Sequence, residues 1–376
     1  MAEIPSMQNH ALGKIIFIEG LRGIVALYVA LHHFVHLVLV KSYPIIGKFF
    51  IFGQSAVILF FVMSGFVIYY SSFGHYQNLN FRVYFIRRFR RIYPLFLLAL
   101  LVTYLVECLL AGTFYQPSYY ELFGNLLMLQ DHSKLGNWFS PFMDNSPLWS
   151  LSYEWFFYML FFPTYLLFKK KTFLQKYAVL ILSLTGYAIY WFYPNQISLF
   201  LMYYILWWSG VELAKEYLAT NQLTWKKQSF SIIAIGILSL CWILIWSQSS
   251  FMMISSSQHP VLETRHFMST FFIFIIGMGW YKAKGIGLLT IIRLGGYFAP
   301  ISYGIYIFHM PIIDLCRDSA FAQTLSPWIN FLWVFSLIFL IAYIAEQKIQ
   351  PIINRWMRAS LNPAMPAARF ARDNIQ

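Results

Sequence analysis

Apolar residues run through this chain in long blocks, and the breaks between blocks are charges, prolines and Asn/Gly clusters. Cutting at those breaks predicts about ten membrane spans, near residues 15–40, 49–72, 92–112, 147–168, 176–193, 197–215, 229–248, 266–281, 297–316 and 328–348. The uncharged runs from Tyr177 to Val211 and from Phe49 to Phe81 exceed the ~20 residues of one crossing, so each must hold more than one segment or a loop. The patch Tyr119 to Gln130 is too short to cross and is followed by the polar stretch Asp131 to Asn145. It is expected to be a re-entrant or interfacial helix on the outer side.

The predicted fold is therefore all-α, a polytopic transmembrane bundle. Residues 1–14 would form a cytoplasmic segment, 15–350 the membrane domain and 351–376 a short cytoplasmic tail. Composition agrees: 59% of residues are hydrophobic and 11% charged, against about 45–50% and 25% in a soluble domain. Met1 to Lys14 is polar and the apolar stretch after it carries Glu19 and Arg22, so no cleavable signal is expected.

A net charge of +13 would suggest a nucleic-acid binder in a soluble chain. Here its distribution explains it. With the N-terminus inside, the outer segments keep only Lys41, Lys48, Lys134, Arg265 and Arg317 of the 27 Lys and Arg residues. That asymmetry predicts both termini inside and an even number of spans. Cys108, Cys241 and Cys316 lie far apart in apolar segments, without the spacing of a disulfide framework or a zinc site, and read as packing residues.

Ionisable groups inside spans are costly and mark functional candidates. The first span carries Arg22, His32, His33 and His36. Arg22 and His33, eleven residues apart, share one helix face at ~16 Å separation along the axis. His36 lies one turn beyond His33 on nearly that face, whereas His32 points away from it. In the second span, Ser64-Gly65 is a small pair that lets another backbone approach, with Ser64 also a candidate polar contact to a cofactor. Five arginines, Arg82, Arg87, Arg88, Arg90 and Arg91, then precede Pro94. They form either a topology anchor or a set of bidentate donors for phosphate.

The fourth predicted span opens on Pro147, Trp149 and Ser150 and carries Glu154 within its first turns, an acid facing the bundle near an outer entrance. The ninth reads from Ser302 and Tyr303 to His309 and Pro311. His309 either reaches carbonyls freed by the Pro311 kink or belongs to the site. Trp149, Ser150, Tyr303 and His309 are candidate substrate contacts.

Five segments together resemble the acyltransferase-3 family of membrane acyltransferases. They are Leu21-Arg22-Gly23-Ile24 with an Arg-x10-His spacing to His33, Phe60-Phe-Val-x-Ser64-Gly-Phe66, Arg87-Arg88-x-x-Arg91-Ile-x-Pro94, Trp149-Ser-Leu-x-x-Glu154, and Ser302-Tyr-Gly-Ile-Tyr-x-x-His309-x-Pro311. The resemblance implies a ten-helix bundle that takes acyl-coenzyme A, usually acetyl, from the cytoplasm and delivers the acyl group to a surface polysaccharide or glycolipid. It implies that Arg22 and His33 are essential and that Arg88 and Arg91 help hold coenzyme A. Many relatives carry an additional periplasmic esterase-like domain; its expected absence here leaves room for a separate periplasmic partner.

On this reading His33 is the general base for the acceptor hydroxyl, or the transient carrier of the acyl group. Arg22 binds the donor or stabilises charge near its thioester, Arg87, Arg88 and Arg91 take the phosphates, and Glu154 orients His33 or the acceptor. No metal is expected, and the location would be a bacterial inner membrane. Two alternatives use the same residues: a transporter or flippase for a sugar-linked lipid, and an acyltransferase for a small-molecule acceptor.

Overall fold

The computed structural model describes residues 4–72, 80–132, 135–248 and 259–361. The first residues of the expected N-terminal segment and the tail beyond 361 lie outside them. Helix α1 (Ile4–Phe34) passes into a π-helical turn, Val35–Leu39. There follow α2 (Gly53–Ser72), α3 (Phe81–Ala111), the short α4 (Tyr119–Leu126), α5 (Trp149–Leu167), α6 (Thr172–Phe192) and α7 (Gln196–Thr220). The remainder is α8 (Trp225–Gln248), α9 (Val261–Lys282), α10 (Leu289–Phe298), α11 (Ser302–Asp318) and α12 (Pro327–Tyr343). A second π-helical turn, Ile344–Ile349, leads into α13 (Gln350–Leu361).

Among the described residues no strand forms, and nine helical segments are long and apolar enough to cross a membrane. Helix α5 is not among the nine, because Trp149, Ser150, Ser152, Tyr153, Glu154 and Tyr158 lower its hydropathy. At 19 residues it is still ~28 Å long, and one face of it, Trp149 to Tyr153, Phe157, Tyr158, Phe161 and Tyr165, lies inside the bundle. Together these ten elements match the predicted all-α bundle. The outer surface is what lipid requires: Leu97, Leu101 and Leu105 on α3 and Ile233, Ile237, Leu240 and Leu244 on α8 are exposed leucine and isoleucine stripes at helical spacing.

Apolar side chains gain nothing by leaving lipid for a helix interface, so association rests on close packing and polar contacts. Two glycine crossings supply the first. At Gly65 of α2 a Cβ would meet the Trp207 carbonyl oxygen at 2.1 Å, and at Gly210 of α7 the Val62 oxygen at 1.9 Å. On α1, a Cβ at Gly23 would meet the Gly295 oxygen at 2.0 Å, and one at Gly295 of α10 the Gly20 oxygen at 2.1 Å. Backbones therefore touch at both crossings, as the small Ser64-Gly65 pair suggests. Between them an aromatic core interlocks Tyr153, Phe157 and Phe161 of α5 with Phe200, Tyr204 and Trp207 of α7.

The expected interfacial helix is α4, with Tyr119, Tyr120 and Phe123 exposed. The polar stretch after it does not stay outside. Asp131 and Asn145 are buried, Asp131 accepting from Tyr153 at 2.5 Å and Asn145 donating to Thr103 Oγ1 at 2.9 Å. A loop buried this way must satisfy polar groups internally, and the hydroxyls and carbonyls of α3, α5 and α11 supply partners for the Asp131 carboxylate and the Asn145 amide nitrogen.

Two prolines also reveal partners. Pro311 lacks an N–H for the Ile307 carbonyl, and Asn145 Nδ2 donates to that oxygen at 3.4 Å. Pro94 leaves the Arg90 carbonyl free, and Gln350 Nε2 of α13 donates to it at 2.6 Å. The segment after 350, expected as a plain extension, thus begins as a helix docked on α3, with Ile352 and Trp356 exposed.

Candidate active site

Arg22 and His33 share the α1 face that packs on α11. Arg22 Nε donates to Ser302 Oγ at 3.0 Å, and its Nη2 donates to the Ala299 carbonyl at 3.0 Å and to Glu19 Oε2 at 2.9 Å. Further along, the half-buried His33 ring lies 5.2 Å from the ring of His309, centroid to centroid. His33 makes no hydrogen bond among the described residues; its ring neighbours are His309 and, at 5.0 Å, His32. Its nitrogens are thereby left for a ligand.

His309 is fully buried. Its Nδ1 lies 3.2 Å from the Ile305 carbonyl and its Nε2 has no partner. A carbonyl only accepts, so Nδ1 carries the proton and Nε2 of the neutral ring presents a lone pair. The carbonyl freed by Pro311 is taken by Asn145, so the kink does not account for His309. Tyr306, one turn back, packs its ring 6.0 Å from His309 and shares a 2.7 Å hydrogen bond with Ser150.

His32 and His36 do not join this face. Both ring nitrogens meet the Phe50 carbonyl, His36 Nε2 at 3.1 Å, and the two rings lie 4.7 Å apart. They sit at the α1 end where the π-helical turn begins. Trp149 also faces elsewhere, stacked on His266 at 5.5 Å with the planes 4° apart.

Glu154 gathers a second group. Its Oε1 accepts from Ser64 Oγ at 2.7 Å and from Tyr158 OH, while Trp207 Nε1 donates to Ser64 Oγ at 3.2 Å. No contact joins Glu154 to His33, so the expected orienting of His33 by Glu154 has no direct bond behind it. Ser64 is both things at once: its neighbour Gly65 sits at the α2–α7 crossing and its hydroxyl belongs to this cluster. The Arg88 guanidinium lies over the rings of Tyr84 and Tyr158, at 5.5 and 5.9 Å, and its buried Nε has no hydrogen-bond partner.

The arginines divide. Arg91 Nη1 is 3.4 Å from Glu346 Oε2 and its guanidinium lies 5.6 Å from the Tyr303 ring centre. Glu346 Oε1 accepts the Gly304 N–H at 2.7 Å, capping the start of α11 with a carboxylate. Tyr303 itself donates to the Ile92 carbonyl at 3.1 Å. Arg87 has no partner among the described residues. Arg91 is thus held by the fold, while Arg87 and the unpaired edge of Arg88 can take an anion.

Reasoning from sequence missed four members: Glu19, Tyr158, Trp207 and Glu346. Tyr158 was findable, being one turn from Glu154 on the same face. So was Glu346, a carboxylate at the end of an otherwise apolar span.

The model of the acyltransferase-3 family, described as an acyltransferase domain, matches residues 15–346. No curated protein and no solved structure matches the chain.

Proposed function

Since the chain belongs to the acyltransferase-3 family, and is in general terms a membrane acyltransferase, we propose that it transfers an acetyl group from cytosolic acetyl-coenzyme A to a hydroxyl of a surface polysaccharide or glycolipid, in a bacterial inner membrane. The observation that carries the reading is the arrangement along the α1–α11 contact. Cationic groups collect at the Arg22 end and a pair of imidazoles with open nitrogens lies farther along.

The donor's phosphates meet Arg87 and Arg88, whose guanidinium forks suit them. Arg22, ~16 Å from His33 along α1, is too far to touch the reacting carbonyl. It serves the donor's charged part and fixes the start of α11. The thioester arm reaches inward to His33. Neutral His33 takes the proton of the acceptor hydroxyl as that oxygen bonds to the acyl carbon; the carbon–sulfur bond breaks and coenzyme A leaves as the thiolate, which regains a proton. In the two-step variant His33 holds the acyl group between donor and acceptor. His309 Nε2 accepts a hydrogen bond from the incoming hydroxyl or from His33. Glu154, Ser64 and Tyr158 join α2 to α5 through one hydrogen-bonded group.

The test is coenzyme A release and label transfer from radiolabelled acetyl-coenzyme A by the purified protein, wild type beside Arg22→Ala and His33→Ala. Label in a saccharide fraction with wild type alone supports the reading. Absence of release and transfer by folded wild type, over a range of acyl donors and glycans, overturns it and favours the transporter.

A further inference from the structure

Away from the imidazole pair, at the end of the bundle that the charge asymmetry assigns to the outside, a cavity of about 180 Å³ opens among Leu135, Tyr187, Tyr190, Trp191, Trp242 and His259. Its walls come from the ends of α6 and α8, the loop after α4 and the residue two before α9, so no single helix needs it for packing. Their rings meet edge to face. Trp242 stands 5.5 Å from Tyr187 at 78°, 5.8 Å from His259 at 85° and 6.2 Å from Tyr190 at 64°. Trp191, also in the lining, is 54% exposed.

One polar atom of these lining side chains has no hydrogen bond: the indole N–H of Trp242, a side chain 1% exposed. His259 Nδ1 lies 3.3 Å from Tyr190 OH and 3.2 Å from Glu263 Oε2, so Glu263 stands behind the wall as the partner of a lining ring. A buried donor left unmet is costly unless a ligand completes it. A hydroxyl accepts from that N–H and can donate in turn to a polar atom of the same wall. A quaternary ammonium, the other usual guest of an aromatic box, has no group that accepts from Trp242. The volume, about six water molecules at ~30 Å³ each, suits one sugar ring and excludes an oligosaccharide.

We propose that this cavity is a carbohydrate subsite that holds a single pyranose ring, its C–H face on Trp191 and its hydroxyls on Trp242 Nε1 and the His259 ring. It rests on the glycan-acceptor reading above: the ring held here is a remote residue of the acceptor whose other end presents its hydroxyl at His33.

The experiment is photo-crosslinking of purified full-length protein, without acyl donor, by diazirine-bearing methyl glycosides of glucose, galactose and N-acetylglucosamine, with peptide mapping. Coenzyme A release and acceptor kinetics are measured in parallel on wild type and Trp191→Leu, a surface replacement that leaves the buried wall intact. Label is expected on the segments around 187–194 or 242–246, and about tenfold weaker labelling in Trp191→Leu. That variant should also show a raised KM for the acceptor with kcat retained. Label confined to other segments, equal labelling of both proteins, or displacement by choline overturns the subsite. Labelling at the cavity by a protein that acylates no saccharide keeps the subsite and sinks the acceptor reading.

Discussion

The ring of His33 faces that of His309 across the α1–α11 contact, centroids 5.2 Å apart and planes inclined by 35°. Neither ring takes a carboxylate partner, so the pair is not a charge-oriented imidazole of the familiar kind. Removal of His33 should abolish transfer, a loss of at least 10²–10⁴-fold, with membrane insertion and melting temperature kept. His309→Gln, which retains a hydrogen-bonding side chain, should reduce kcat less than His309→Ala does. Steady-state transfer assays on the three variants check the order.

Arg88 and Arg91 should separate experimentally. Arg91 is tied to Glu346, which caps α11, so Arg91→Ala leaves a buried carboxylate without its cation and lowers stability. The cost is put at roughly 1–3 kcal/mol, below the ~3–5 of a fully buried pair, because the Arg91 side chain is 38% exposed. Arg88→Ala should instead raise the KM for the acyl donor with a smaller effect on melting. Thermal unfolding in detergent beside donor titrations distinguishes the two.

Glu154 and Tyr158 act on one oxygen, through Ser64. Glu154→Gln and Tyr158→Phe should each lower kcat, and the double variant should lose less than the product of the two losses, as expected for groups in one network. Multiplicative losses would mean that they work independently.

Gly65→Ala places a methyl against the Trp207 carbonyl, where 2.1 Å is available. Overpacking of this kind typically costs ~1–3 kcal/mol, so a lower melting temperature is expected. Gly277→Ala, with open space around the added Cβ and the better helix propensity of alanine, is the control that should not lower it.

The orientation of the bundle can be read with impermeant maleimide on intact cells. Ser42→Cys and Ser118→Cys should react from outside, and Ser229→Cys only after the membrane is opened. The reverse pattern would invert the assignment of donor and acceptor ends.

Much of this was legible in the sequence, for identifiable reasons. Helices in lipid must satisfy their own backbone, so apolar length alone located the spans. Arg22 and His33 were visible because a charge in a span has few innocent explanations, and helical period alone set them on one face. What sequence could not give was pairing between segments. Arg91 reads alongside Arg87 and Arg88 as a donor for phosphate, and nothing in the sequence pairs it with Glu346, 255 residues away. His309 read equally as a partner for the Pro311 kink or as a site residue, and Asn145, from a loop that appeared too polar to be buried, fills the first place. The α4 region was seen as interfacial while the return of Asp131 and Asn145 into the bundle was not, since burial of a polar loop depends on acceptors and donors supplied by other helices.

The contact of Gly20 and Gly23 with α10 has a bearing on donor choice. Where two main chains touch, no side chain remains to be squeezed or displaced, and α1 is locked in register against its neighbour. The separation of Arg22 and His33, set by helix rise along α1, is then also fixed relative to that neighbour, and on the proposed reading reach has to come from the substrate. On the proposed reading such a bundle would act as a ruler that measures the carrier before the acyl group. A short thioester with the correct acyl group but without the long arm and phosphates of coenzyme A would be anchored poorly, fall short of the imidazole, and be a feeble donor.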